Sequence, residues 1–239
     1  MKKSLIFLSL LVLAAGTTLR SQTLDEILMK HFSAIGQDSL LKINSMKVSG
    51  KMIQGGLELP FVQISCRPFS LRFEISFQGL TMIQAYDSKD GWSINPFSGS
   101  TTVQPMSDDD LKTMRYQSDF DGMLWKADEK GYKLTYEGKD DMEGTDCYIL
   151  KIVTKSGDVF KYYIDSDSYI PLRLNSKIKI MGNESESDVY FSNYKMIGGM
   201  AIAGKSENKM NGQLMMTTVT DKLELNFKAD STIFERPKK

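Results

Sequence analysis

The sequence predicts a mainly β protein with helices, an α+β fold in which one curved antiparallel sheet of about 11–12 strands carries helices over its concave face. Three observations lead there. Runs with period-two alternation or β-rich composition follow one another from residue 45 almost to the end. Most are joined by short turns rich in Gly, Asp or Asn, the spacing of an antiparallel meander. Two stretches with apolar faces, 23 to 35 and 107 to 125, read as helices, and a sheet this wide must twist and curl beneath them.

The first residues read as a secretory signal: Lys2-Lys3, an apolar core from Leu5 to Ala15, then small and polar residues to Ser21. That core is too short to span a bilayer as a mature anchor. With no cysteine at the expected cut, the mature chain is expected to be exported without lipidation. Residues 22–239 then form one domain, because no Pro-rich, Ser-rich or single-sign linker divides them.

Residues 23 to 35 place Leu24, Ile27, Leu28, Phe32 and Ile35 on one helical face, with Thr23 as N-cap, Glu26 at the capping-box position and Gly36 as terminator. A helical turn over 39 to 43 follows. Expected strands are 45 to 53, 57 to 66, 70 to 78, 80 to 86, 91 to 95, 132 to 137, 146 to 154, 158 to 165, 170 to 181, 186 to 196, 200 to 209 and 214 to 227. Over 107 to 125, Ser107 can cap and Asp108, Asp109 and Asp110 suit a helix N-terminus. Leu111, Met114, Phe120, Met123, Leu124 and Trp125 give that stretch its apolar side.

The full chain has 30 basic and 30 acidic residues; removal of Lys2, Lys3 and Arg20 with the signal leaves a small negative excess. Nothing in this balance points to nucleic acid or an anionic membrane surface. Cys66 and Cys147 are the only cysteines. An oxidising compartment permits a bridge between them, but two small buried hydrophobes on separate strands is the preferred reading.

His31, the only histidine, sits beside Phe32 with no Ser-Asp or Cys-Asn arrangement to serve, so a structural role is expected. Asp165-Ser166-Asp167 begins like a calcium loop, but Ile170 stands where glycine is required and Ser176 where the closing glutamate belongs, so a turn is expected. Asp140-Asp141 reads as another turn. Without a phosphate loop, metal cluster or convincing carboxylate pair, the expectation is a non-enzyme with no cofactor and no metal. Fifteen methionines and 24 aromatic residues fit an adaptable apolar lining or an ordinary core equally well.

From Arg67 onward the chain resembles the LolA-like outer-membrane lipoprotein-sorting family. The resemblance rests on Arg67-Pro68, Leu71-Arg72-Phe73-Glu74, Tyr86-Asp87 to Trp92 and Asn95-Pro96-Phe97, with weaker echoes through Gly144 to Leu150, Tyr162 to Asp165 and Tyr169-Ile170-Pro171. It implies an unclosed half-barrel lidded by helices and a monomeric periplasmic carrier of lipoprotein acyl chains or other lipid, passing cargo from an inner-membrane donor complex to an outer-membrane acceptor. It also allows a lipid- or lipoprotein-sensing module of the cell envelope.

The matched Arg67 is expected to reach backbone carbonyls of a lid helix and hold the empty carrier closed. Its plainer alternative is an exposed strand-end charge. Leu71 falls where relatives often carry an aromatic near the cavity mouth, and Trp92 matches a family tryptophan that also suits a core anchor. The expected lining comprises Ile64, Leu71, Phe73, Ile75, Phe77, Met82, Trp92 and Ile94 from the sheet. From the helices it adds Ile27, Phe32, Leu111, Met114, Phe120, Met123 and Leu124.

Overall fold

The computed structural model describes residues 22–237; the signal segment expected over 1–21 lies outside the described residues. Helix α1 (Leu24–Ile35) forms as its sequence requires. The Thr23 hydroxyl accepts from the Glu26 amide, the Glu26 carboxylate accepts from the Thr23 amide, and Gly36 ends the helix at φ 74°. A Cβ on Gly36 would also lie 1.9 Å from the Gly199 carbonyl oxygen, so glycine is demanded twice. A short α2 (Gln37–Leu40) follows at once.

The first meander comprises β1 (Ser45–Gln54), β2 (Leu57–Cys66), β3 (Ser70–Phe77), β4 (Leu80–Asp87), β5 (Gly91–Asn95) and β6 (Ser100–Pro105). After α3 (Asp108–Gln117) come β7 (Lys133–Met142), β8 (Thr145–Val153), β9 (Val159–Asp165), β10 (Pro171–Ile180) and β11 (Asn183–Ser192). The small hairpin β12 (Lys195–Ile197) and β13 (Met200–Ile202) stands apart, and β14 (Lys205–Met210) and β15 (Gln213–Leu225) complete the main sheet.

That sheet has 13 antiparallel strands in the order β6-β5-β4-β3-β2-β1-β15-β14-β11-β10-β9-β8-β7. Its halves join where β1 pairs with β15, and the outer strands β6 and β7 do not meet, so the half-barrel is unclosed. The chain passes from one free edge to the other through α3 and residues 118–132. This crossover is what lays a helix over the sheet.

Three expectations need correction. Helix α3 stops at Gln117; Ser118 caps it, and Gly122 at φ 81° lies within the turns that follow, so Phe120, Met123, Leu124 and Trp125 lie on turns. The polar strand β6 was not anticipated, having only Val103 as an apolar residue inside it. Asp140 and Asp141 belong to β7, which continues past a register shift between Tyr136 and Lys139. Cys66 and Cys147 are free, and six strands lie between β2 and β8.

Candidate functional site

Directly paired residues on neighbouring strands point to the same side of a sheet, so the register assigns the faces. One face carries Phe61, Ile75 and Met82 in line, with Phe73 beside Gln63 and Gln84, Leu71 beside Tyr86, and Phe77 beside Leu80. Leu111 and Met114 of α3 pack on Leu71 and Tyr86, which makes this the concave, helix-covered side. Phe73 and Met82 pack there around buried Met52, Phe61 and Ile75.

Ile64, Trp92 and Ile94 lie on the other face, a correction to the expected lining. Ile64 pairs with Arg72, Arg72 with Ala85, Ala85 with Trp92, and Ile83 with Ile94. The C-terminal turn Ser231–Ile233 covers this outer patch: Trp92 donates its Nε1–H to the Phe234 carbonyl at 2.9 Å, and Arg72 donates to that of Ile233. Period-two alternation separates Trp92 from its neighbours in space but cannot say which face is concave.

The open space sits mainly over the second half of the sheet. A cavity of about 440 Å³ lies between α3, residues 119–123 and the concave side of β9, β10, β11 and β14. Met123, Phe160, Tyr162, Leu174, Ile178 and Val189 form its apolar wall. Ile180 and Met210 also line it, both exposed, on hairpin tips 180–183 and 210–214 that contain no charged residue.

Two smaller spaces adjoin through Tyr162. One of about 150 Å³ touches Phe32, Met123 and Leu124; the other, about 330 Å³, touches Phe120, Met46 and Phe191. Of the expected lining residues, then, Phe32, Phe120, Met123 and Leu124 border open space in these cavities. Ile27 is fully buried in the core between α1 and β8 and β9, while Leu71 and Met114 are packed shut.

Arg67 is placed by β2, whose end turns toward α2. Its Nε donates to the Ile43 carbonyl at 2.6 Å, and Nη2 to the Leu40 carbonyl at 2.9 Å. Nη1 donates to Asp121 Oδ2 at 2.8 Å, and Nη2 lies 2.6 Å from Oδ1. The guanidinium also lies 4.7 Å from the centre of the Phe120 ring. Five fixed donors allow one side chain to hold two carbonyls and a carboxylate together.

The carbonyls that Arg67 holds belong to the end of α2 and the turn behind it, whereas the expected partner was a lid helix, 23 to 35 or 107 to 125. Asp121 was not anticipated; nothing in Phe120-Asp121-Gly122 marks it as a partner before the fold brings it to β2. Gln37 adds a second tie, donating Nε2–H to the Asp121 carbonyl at 3.1 Å.

A polar cluster fixes the far end of α3. The Tyr116 hydroxyl meets Thr154, Ser156 and Asp158 on the β8–β9 turn, with the Asp158 carboxylate at 2.7 Å. Burial works against the Asp158 charge, but the Lys179 amide, Tyr116, Ser156 and nearby Lys112 outweigh it and hold the carboxyl below its usual range. Its ring packs edge-on against Phe160, so Tyr116 joins this anchor to the cavity wall.

His31 is buried, its Nδ1–H donating to the Tyr169 carbonyl at 2.8 Å, and burial lowers its pKa. Asp165 holds its turn by accepting from the amides of Asp167 and Ser168. Among the described residues no group of three or more His, Cys, Asp or Glu side chains is arranged to hold a metal ion.

The sequence matches no protein-family model and no curated protein. Solved structures do share its architecture. A DUF1329 family protein from Desulfovibrio piger aligns at a TM-score of 0.60 and 15% identity over 87% of this chain and 97% of that chain. A LolA superfamily protein from Nitrosomonas europaea aligns at 0.60 and 12% identity over 90% and 99%. A domain assigned to outer membrane lipoprotein sorting, from Vibrio parahaemolyticus, aligns at 0.57 and 12% identity over 87% and 94%.

The fold is LolA-like. Within the LolA-like half-barrel, Arg67 ties the first meander to the crossover, and the apolar cavity of about 440 Å³ lies under that crossover. At these identities the likeness is one of architecture, so the roles of individual residues rest on the geometry above.

Proposed function

We propose that the protein is an exported, periplasmic carrier that holds lipoprotein acyl chains, or another lipid, between the concave sheet and the crossover, and delivers them toward the outer membrane. The apolar cavity of about 440 Å³ is the observation that carries this reading. It falls within the range of small-ligand sites. Each methylene taken from water into such a wall contributes about 0.8 kcal/mol, so an acyl chain binds without polar recognition.

Release needs an opposing force, and Arg67 supplies it. The segment it grips, Phe120 and Asp121, lies between Asp119 and Gly122–Met123, which line the cavity. An entering chain that pushes this wall outward strains the Arg67 contacts, and the contacts reform as cargo leaves. Transfer from an inner-membrane donor complex to an outer-membrane acceptor then runs down an affinity gradient without nucleotide energy.

Binding of a fluorescent fatty acid tests the reading. Saturable binding, with slower release from an Arg67→Leu variant, supports it. Absence of binding in both proteins removes the carrier assignment.

A further inference from the structure

Tyr116 also borders a second space, about 470 Å³, whose lining is rich in charged side chains. Lys112, Arg115, Lys130 and Lys155 line it against a single carboxylate, Asp108, in a chain with 30 basic and 30 acidic residues in all. Lys112 is engaged by buried Asp158, and Lys130 by Asp119 at 2.6 Å. Arg115 and Lys155 have no ion-pair partner among the described residues and remain exposed. Hydroxyls of Tyr116, Thr154 and Ser156 stand along the same wall.

Tyr116 lines both spaces, and α3 presents Lys112 and Arg115 to this one and Thr113 and Gln117 to the apolar one. We propose that the basic cavity receives the anionic head group, phosphate or carboxylate, of an amphiphile whose acyl chain lies in the apolar cavity beyond Tyr116. Arg115 offers a planar fork for two oxygens and Lys155 a mobile point charge, while the hydroxyls stay with Asp158. Lys112 and Lys130 stay with their carboxylates and add positive field. This assignment rests on the carrier reading and specifies the class of lipid.

The test compares 1-acyl-glycerol-3-phosphate with the monoacylglycerol of the same chain, on the whole protein and on an Arg115→Gln, Lys155→Gln variant. Two charge-assisted contacts are expected to favour the phosphate ester by roughly tenfold or more in the unaltered protein, and the variant to lose most of that preference. Millimolar inorganic phosphate should weaken binding of the ester and leave the neutral lipid unaffected.

Both altered side chains are exposed, so thermal unfolding of the variant should match that of the parent. Equal binding of both lipids, or a preference that survives in the variant, overturns the basic cavity as a head-group site while leaving the carrier reading in place. Inorganic phosphate bound as tightly as the ester would show an anion site unconnected to the acyl chain and overturn it too. Binding of neither lipid overturns the carrier reading and this assignment with it.

Discussion

Arg67 and Asp121 form a two-pronged ion pair, Nη1 to Oδ2 at 2.8 Å and Nη2 to Oδ1 at 2.6 Å, that joins the end of a strand to the segment crossing the open sheet. Both side chains are about a quarter exposed, so solvent screens the pair only in part. One hydrogen bond and a second close ion contact from the same planar group make the guanidinium hard to replace. Arg67→Lys is expected to lose most of the stabilisation that Arg67→Leu loses, because an ammonium cannot bridge Leu40, Ile43 and Asp121 together. In a double-mutant cycle with Asp121→Asn, urea unfolding should return a coupling of about 1–2 kcal/mol; a coupling near zero would dissolve the latch into separate contacts.

The cavity is expected to respond to volume. Val189 lines it from β11, and a Val189→Trp side chain would occupy the space an acyl chain needs. Affinity for a fluorescent fatty acid should fall by roughly tenfold or more, on the scale of two buried methylenes displaced, while the circular dichroism spectrum stays that of the parent. Undiminished affinity would move the ligand elsewhere.

Trp92 provides the converse check. Trp92→Phe removes the donor to the Phe234 carbonyl on the outer face and should cost about 1–2 kcal/mol in stability. Fatty-acid affinity should remain within about twofold, below half a kcal/mol. A selective loss of binding would return Trp92 to the ligand site.

His31 makes the pH dependence of folding readable, because it is the only histidine. Burial lowers its folded-state pKa, so the unfolded chain takes up the proton first as pH falls. Its contribution is complete above the unfolded value of about 6.5 and declines below it, by up to about 1.4 kcal/mol per pH unit, until the lowered folded-state value is reached. Between pH 7 and pH 5 the protein should lose more stability in denaturant titrations than a His31→Gln variant. Parallel losses would mean that His31 titrates normally in the fold.

Much of this architecture is legible in the residues. Thr23, Glu26 and Gly36 state the limits of α1 through local backbone chemistry, and β2 is found over the expected residues 57 to 66 because turn and alternation agree there. The site is less legible. Alternation separates Phe73 from Arg72 and Ile94 from Ser93, yet only the coverage by α3 on one side and by Ser231–Ile233 on the other decides which set is inward. Phe160, Tyr162, Leu174 and Ile178 show the same period as any core strand; they border a cavity because the crossover stops short of filling it. Asp121 is silent in the sequence, since its meaning comes from a contact 54 residues away.

The most direct measurement is mass spectrometry of the protein purified from the cells that make it, run first under native and then under denaturing conditions. The expected result is a native mass above that of the polypeptide, with an acyl-bearing molecule released on unfolding. A native mass equal to the bare chain, together with failure to take up added fatty acid, would contradict the carrier account.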